Sequence, residues 1–168
     1  VKKFLAANNE NDVVFEYLKS GNYNPRPSVE TIANAMDVGT PSNFARILDL
    51  YENSYERISD AIAGFRYSDI EIREVIKKVY KSTGYLADPH GACGLAALTE
   101  FLKPSQVGVF LETAHPAKFT ETMETIVGKG NVLVPDKLAA FLSGEKKSVV
   151  LTARYDEFRS WLVDNQQG

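Results

Sequence analysis

Short apolar segments that read as strands alternate along this chain with segments of helical period, and turn residues separate them. That order constrains the fold most, because strands divided by helices pair in parallel, with helices covering the sheet. Phe4-Leu5-Ala6-Ala7 reads as the end of a buried strand that runs into a polar loop, Asn8–Asn11. Val13, Val14, Tyr17 and Leu18 then share one helical face, and Gly21 stands where a helix of that length ends. Pro and Asn impose a loop around Asn22–Ser28, and Ile32–Val38 reads as a second strand closed by Gly39. Thr40-Pro41-Ser42 has the form of a helix start, with Phe44, Ile47, Leu48 and Tyr51 as that helix's apolar stripe.

The clearest helix runs from Asp69 to Thr83, with Ile72, Val75, Ile76, Val79 and Tyr80 on one side and Gly84 at its end. Asp88-Pro89 repeats the cap-plus-proline start, and the helix it opens is small-sided: Gly91, Ala92, Gly94, Ala96, Ala97. Val107–Glu112 reads as a further strand, closed by Thr113-Ala114-His115-Pro116, and a helix to about Val127 follows. Two helical patterns, Asp136–Leu142 and Tyr155–Val163, and an extended piece, Ser148–Thr152, complete the chain. The pattern predicts one α/β domain over residues 1–127. Residues 128–168 read as a terminal helical extension packed on it.

Composition narrows the function classes. Of 168 residues, 44% are hydrophobic, which is enough for one sizeable core. The formal charge is −3 and no block concentrates positive charge, which argues against a nucleic-acid binder. The single cysteine, Cys93, cannot form an intramolecular disulfide and fits a reducing compartment such as the cytoplasm. No apolar run approaches the ~20 residues of a membrane helix, and Val1–Glu10 does not resemble a signal peptide. Beginning at Val and entering strand-like sequence at once, the chain reads as part of a longer protein.

Ligands of open parallel sheets gather outside the carboxyl ends of the strands. The loops Ala6–Asp12, Val38–Arg46 and Leu111–Lys118 are therefore expected on one rim. The helix starts at Pro41 and Pro89 offer unpaired N–H groups to an anion such as phosphate, although Thr40 and Asp88 would equally serve as plain caps. His90 and Cys93 lie three residues apart on one helix face, the spacing of a Cys–His pair. Without a third orienting group, a packed core thiol is the better reading. His90, Cys93 and His115 lack zinc-site spacing, so no metal is expected. Lys118, in the first turns of an amphipathic helix, reads as solvated rather than as a Schiff-base lysine.

Four stretches in register resemble threonine synthases, pyridoxal-phosphate enzymes of the tryptophan-synthase-like fold type II. They are Ala6-Ala7-Asn8-Asn9-Glu10-Asn11-Asp12, Asn34-Ala35-Met36-Asp37-Val38 through Arg46, Asp88-Pro89-His90, and Thr113-Ala114-His115-Pro116-Ala117-Lys118-Phe119. The likeness runs from Val1 to about Val127, and implies the carboxyl-terminal part of such an enzyme's α/β domain. It implies conversion of O-phospho-L-homoserine and water to L-threonine and phosphate, with the Schiff-base lysine and phosphate cradle upstream of this chain. No catalytic residue is then expected here, and the chain alone should be inactive. Thr113 and Ala114 are implied on the cofactor side, the Thr113 hydroxyl at the pyridine nitrogen. Gly39, Ser42, Asn43, Arg46 and His90 are implied on the substrate side, with Arg46 suited to grip phosphate bidentately. The implied partners are that substrate and the missing amino-terminal part, and strand edges left open by truncation would favour self-association. Two other readings stay open: a related fold type II lyase acting on another phosphorylated amino acid, and a non-catalytic phosphate-binding or interaction module.

Overall fold

A computed structural model describes residues 1–165. Val1–Leu133 forms one compact unit, and a second begins at Val134. In the first unit, strand β1 (Phe4–Asn8) pairs in parallel with β2 (Ile62–Arg66), Phe4 opposite Ile62 and Asn8 opposite Arg66. The long connection needed between parallel strands carries three helices: α1 (Val13–Ser20), α2 (Phe44–Leu50) and α3 (Tyr55–Ala61). Their shared core is Tyr17, Phe44 and Ile58, with Tyr17 edge-on to both Phe44 and Tyr55 and Tyr23 stacked on Phe44. Gly21 ends α1 at φ +76°, where its missing Cβ removes the usual penalty.

α4 (Asp69–Thr83) opens with a complete capping box between Ser68 and Glu71 and ends at Gly84, as the sequence predicts. Its buried Ile72 and Ile76 lie toward α5 (Pro89–Phe101) and α6 (Thr120–Val127), where Met123 is also fully buried. α5 buries Ala92, Cys93 and Ala97 completely and packs on β1 and α4, so small side chains permit close approach to the sheet. In the second unit, α7 (Asp136–Leu142) follows Pro135. α8 (Tyr155–Asp164) begins with Asp156 and Glu157 in its first turn, which complements the helix dipole. No element covers Ser148–Thr152.

Three expectations need correction. Ile32–Val38 is not a strand: it holds a short 3₁₀ turn, Asn34–Met36, because its backbone is satisfied by the turn's own carbonyls and by the side chains of Asp69, His90 and Asn9 rather than by a neighbouring strand. Thr40-Pro41-Ser42 does not open a helix. α2 begins only at Phe44, after a turn in which the Phe44 N–H donates to the Pro41 carbonyl, and Asn43 makes no side-chain cap bond. Val107–Glu112 makes no ladder, since the sheet's two strands lie elsewhere. It keeps the period-two pattern of an extended segment: Val107, Val109 and Leu111 are exposed, whereas Gly108 meets Leu98 and Leu102.

Gly39 is buried, and a Cβ there would overlap the Arg26 carbonyl oxygen, whose own N–H donates to the Gly39 carbonyl at 3.0 Å. Backbone cannot yield as a side-chain tip can. Gly39→Ala is therefore expected to cost roughly 1–3 kcal/mol, toward the upper end, by overpacking. A thermal melt checks it; an unchanged midpoint would mean that the two segments do not meet so closely.

Candidate functional site

Where β1 ends, the chain turns on Asn9, which is fully buried. Its amide donates to Thr31 Oγ1 (2.8 Å), Asp37 Oδ1 (2.8 Å) and the Ala33 carbonyl (3.3 Å), and its oxygen accepts the Asn11 N–H (2.8 Å). Asn11 reaches the same carboxylate, donating to Asp37 Oδ1 at 3.0 Å, and exchanges two bonds with the backbone of Val29. Asp37 also accepts the Thr31 hydroxyl and backbone N–H. One carboxylate thus gathers donors from the end of β1 and from the loop of residues 29–37.

That loop is tied in turn to α5. The Ala35 N–H donates to His90 Nε2 at 3.1 Å, so the ring proton sits on Nδ1, which donates to Asp88 Oδ1 at 2.5 Å. Asp88 is the missing third group of the sequence reading. Its Oδ1 also caps α5 by accepting the His90 N–H at 2.8 Å. Both ring nitrogens of His90 are engaged within the protein, which corrects the expectation of a direct substrate contact. Cys93 is not its partner either. The Cys93 thiol lies against the Pro89 carbonyl, and burial pushes it up to about 12, with Asp88 and Asp69 adding to the shift. It is a core thiol, not a nucleophile at neutral pH.

From Asp88 the network passes to the apolar segment before Thr113. The Asp88 N–H donates to Glu112 Oε1 at 2.6 Å, and Glu112 Oε2 occupies the space that a Cβ on Gly91 would fill. Burial, with the Asp88 carboxyl adding to it against the lowering effect of the Asp88 N–H, brings the Glu112 carboxyl up to about 7. Burial would raise Asp88 too, but hydrogen bonds from the His90 ring and backbone and from Glu112 hold it below its ordinary value. Thr113 follows, exposed, and Ala114 is half-buried. An exposed neutral hydroxyl, with no carboxylate in its place, fits the nitrogen of a pyridine ring, to which it can donate. His115 then caps the 3₁₀ turn Pro116–Phe119 by accepting the Ala117 N–H, and Lys118 is exposed.

Two of the three expected loops are therefore linked through a chain running Asn9, Asp37, Ala35, His90, Asp88 and Glu112. The third is not. Ser42, Asn43 and Arg46 are exposed, and among the described residues no hydrogen bond joins their side chains to that network. With no helix start at Pro41, the expected anion site at Gly39–Asn43 loses its dipole. Gly39 itself is explained by its contact with Arg26. Sequence reasoning passed over the roles of Asn9, Asp37 and Glu112. Asp37 carried a signal, as the lone acid within an apolar stretch. Among the described residues, no three His, Cys, Asp or Glu side chains are disposed to hold a metal ion. No described helix is long and apolar enough to cross a membrane.

Known proteins resemble this chain in sequence and in fold. A family profile described as "Threonine synthase, C-terminal" matches residues 91–161. Threonine synthase of Haemophilus influenzae is 44% identical over 128 residues, covering 76% of this chain and 30% of that protein. Threonine synthase of Escherichia coli is 34% identical over 166 residues, 99% of this chain and 38% of that protein. The E. coli crystal structure superposes with a TM-score of 0.85, covering 99% of this chain and 38% of its own. A pyridoxal-phosphate-bound threonine synthase from Brucella melitensis shares the fold at a TM-score of 0.83 and 23% identity. The fold is thus α/β, a parallel sheet with flanking helices, of the kind found in fold type II pyridoxal-phosphate enzymes. The chain belongs to the threonine synthase family as its carboxyl-terminal part, and spans 30–38% of the length of these curated relatives.

Proposed function

We propose that this chain supplies one wall of the active site of a threonine synthase, which converts O-phospho-L-homoserine and water to L-threonine and phosphate. The observation that carries this reading is the match to the E. coli enzyme along 99% of the chain in both sequence and fold. Pyridoxal phosphate, when bound, supplies the electron sink for breaking and making bonds at the substrate's side-chain carbons. The protein's share of the work is orientation and electrostatics. With the cofactor bound, the Thr113 hydroxyl would donate to the ring nitrogen and Ala114 would help hold the ring. A neutral hydroxyl leaves that nitrogen unprotonated, which makes the sink weaker and the chemistry more selective. Ser42, Asn43 and Arg46 face the substrate phosphate, Arg46 by its bidentate guanidinium. His90 serves from behind, holding Ala35 and Asp88 in place. Residues outside this chain provide the lysine that holds the cofactor, and the part of the chain from Val134, with α7 and α8, forms a terminal helical extension. The lone buried thiol agrees with a cytoplasmic setting.

The test is phosphate and threonine release from O-phospho-L-homoserine by the intact protein that carries this chain, with saturating pyridoxal phosphate. Absence of threonine under those conditions would overturn the reading. A second expectation concerns the lysines. Borohydride treatment of the loaded intact protein, followed by peptide mapping, is expected to find no pyridoxyl group on any lysine of this chain, Lys118 included. A stoichiometric adduct on Lys118 would move the catalytic lysine into this segment.

A further inference from the structure

We propose that Glu112 and Asp88 share a single proton, held by Glu112 and donated to Asp88 Oδ2, and that this carboxyl pair clasps residues 107–113 onto the start of α5 and so positions Thr113. The inference deepens the cofactor reading of Thr113 and, for its last step, rests on it.

The geometry is specific. Asp88 is fully buried, and its Oδ1 is already occupied by the ring and backbone N–H groups of His90. Its Oδ2 is, among the described residues, a buried polar side-chain atom with no conventional donor. Glu112 comes to the same place from the other side, with Oε1 taking the Asp88 N–H and Oε2 against Gly91, and its carboxyl lies within hydrogen-bonding range of Asp88. The residue as a whole is exposed, while its carboxyl engages the partly buried Asp88 N–H and fills the space beside Gly91. A carboxylic acid can do two things here that a carboxylate cannot: it accepts the N–H with one oxygen and satisfies Oδ2 with the other. Only a glycine at position 91 leaves room for it.

The surroundings favour one proton. His90 holds its ring proton toward Asp88 while its Nε2 accepts the Ala35 N–H, and its ring lowers both carboxyls, which only partly offsets their mutual repulsion. Tyr85, from the connection before α5, is raised by burial and by both carboxyls, and the Cys93 thiol is raised to about 12, so both are neutral near pH 7. Neither Lys nor Arg appears among the groups acting on the pair. Two ionised carboxyls at this spot would repel each other, and the α5 N-terminus already has Asp88 as its anion.

The direction of the pH effect follows. Glu112 has a folded value above its ordinary one, so its contribution is complete below about 4.5 and is lost as pH rises through about 7. Asp88 has the opposite displacement, so its contribution is present above its ordinary 3.8 and lost as pH falls below it. The clasp is firmest in mild acid and loosens on the way to neutrality. Between about pH 4.5 and 7 each pH unit weakens it up to about tenfold, and the loss levels off above about 7.

The experiment uses the intact protein and its E112Q variant, whose amide donates permanently to Asp88 Oδ2 while its carbonyl still accepts the N–H. Thermal midpoints are measured from pH 5 to 8. The wild-type midpoint is expected to fall more steeply across pH 5–7 than that of E112Q, with the difference levelling off above pH 7; identical pH profiles would overturn the clasp. D88N, which places an amide donor opposite an ionised Glu112, is expected to flatten the profile in the same way, and keeps the test decisive if E112Q folds poorly. Pyridoxal phosphate affinity is then measured at pH 6 and pH 8. The wild type is expected to lose up to about tenfold at the higher pH beyond any loss shown by E112Q. If the melts separate while the affinities move together, the clasp stands and its positioning of Thr113 is overturned. Failure of the enzyme to make threonine would bear on neither melt.

Discussion

Thr113→Val in the intact enzyme is expected to lower cofactor affinity or turnover about ten- to hundredfold while leaving the thermal midpoint close to wild type. Valine keeps the β-branched shape, and the side chain lies on an exposed stretch, so folding loses little. What disappears is the donor to the ring nitrogen. A hydrogen bond left unmade in a closed site costs roughly 1–3 kcal/mol, which sets that range. Thr113→Ser keeps the hydroxyl and should be much milder. Thr113→Asp would favour a protonated ring and shift the outcome toward side products, with total activity falling. Turnover, side-product release and a melt for the three variants decide the matter. Wild-type behaviour of the valine variant together with failure of the serine variant would make Thr113 a packing element.

The parts of the fold that could be read from sequence are those with two independent local signals. α4 has an apolar stripe, a Ser68–Glu71 box and Gly84 at φ +75°, and its limits were legible to the residue. α5 was legible from Asp88-Pro89, and its small residues do face the sheet region. α3 and β2 were passed over because no turn residue separates them: Ile62 is both the end residue of α3 and the first of the strand. β2 also carries Ala63 and Gly64, which are poor strand signals, and Gly64 is there because Phe15 and Leu18 of α1 press on it. Ile32–Val38 was misread for the converse reason. Its apolar residues suggested a strand, while its backbone partners are the turn's own carbonyls and the side chains of Asp69, His90 and Asn9, distant in sequence.

The site divides along the same line. The four motifs were recognisable as a set because a resemblance registers which residues recur, not what they touch. Structure assigns the work differently. Several of the polar motif residues, Asn9, Asn11, Asp37, Asp88 and His90, bond within the protein and not to open space. Thr113, Ser42, Asn43 and Arg46 are exposed and outside this network. Glu112 was invisible to any local reading, since its partners are 24 and 21 residues away at Asp88 and Gly91.

Asp37→Ala should produce the largest loss of stability of any single change in this network. Its carboxylate accepts from the Asn9 amide, the Asn11 amide, the Thr31 hydroxyl and the Thr31 N–H. Asn9 and Asn11 keep other partners, but the Thr31 N–H has no other acceptor among the described residues, and Thr31 and Asn9 are buried. A stranded buried donor costs about 1–3 kcal/mol, and the lost charge-assisted bonds add to it, so a total of about 2–4 kcal/mol is expected. Asp37→Asn should fall between, because one oxygen still serves the side-chain donors while its new N–H₂ meets the Thr31 N–H, donor against donor. Asn9→Ala removes the other hub of the same network, and the double variant with Asp37→Ala should cost clearly less than the two single losses combined. Denaturant melts of the four proteins measure this coupling. Strict additivity would mean that Asn9 and Asp37 act separately, and that the loop of residues 29–37 is held to β1 by packing alone. Coupling would establish that the polar network fixes that loop, and with it the Ala35 N–H that orients His90.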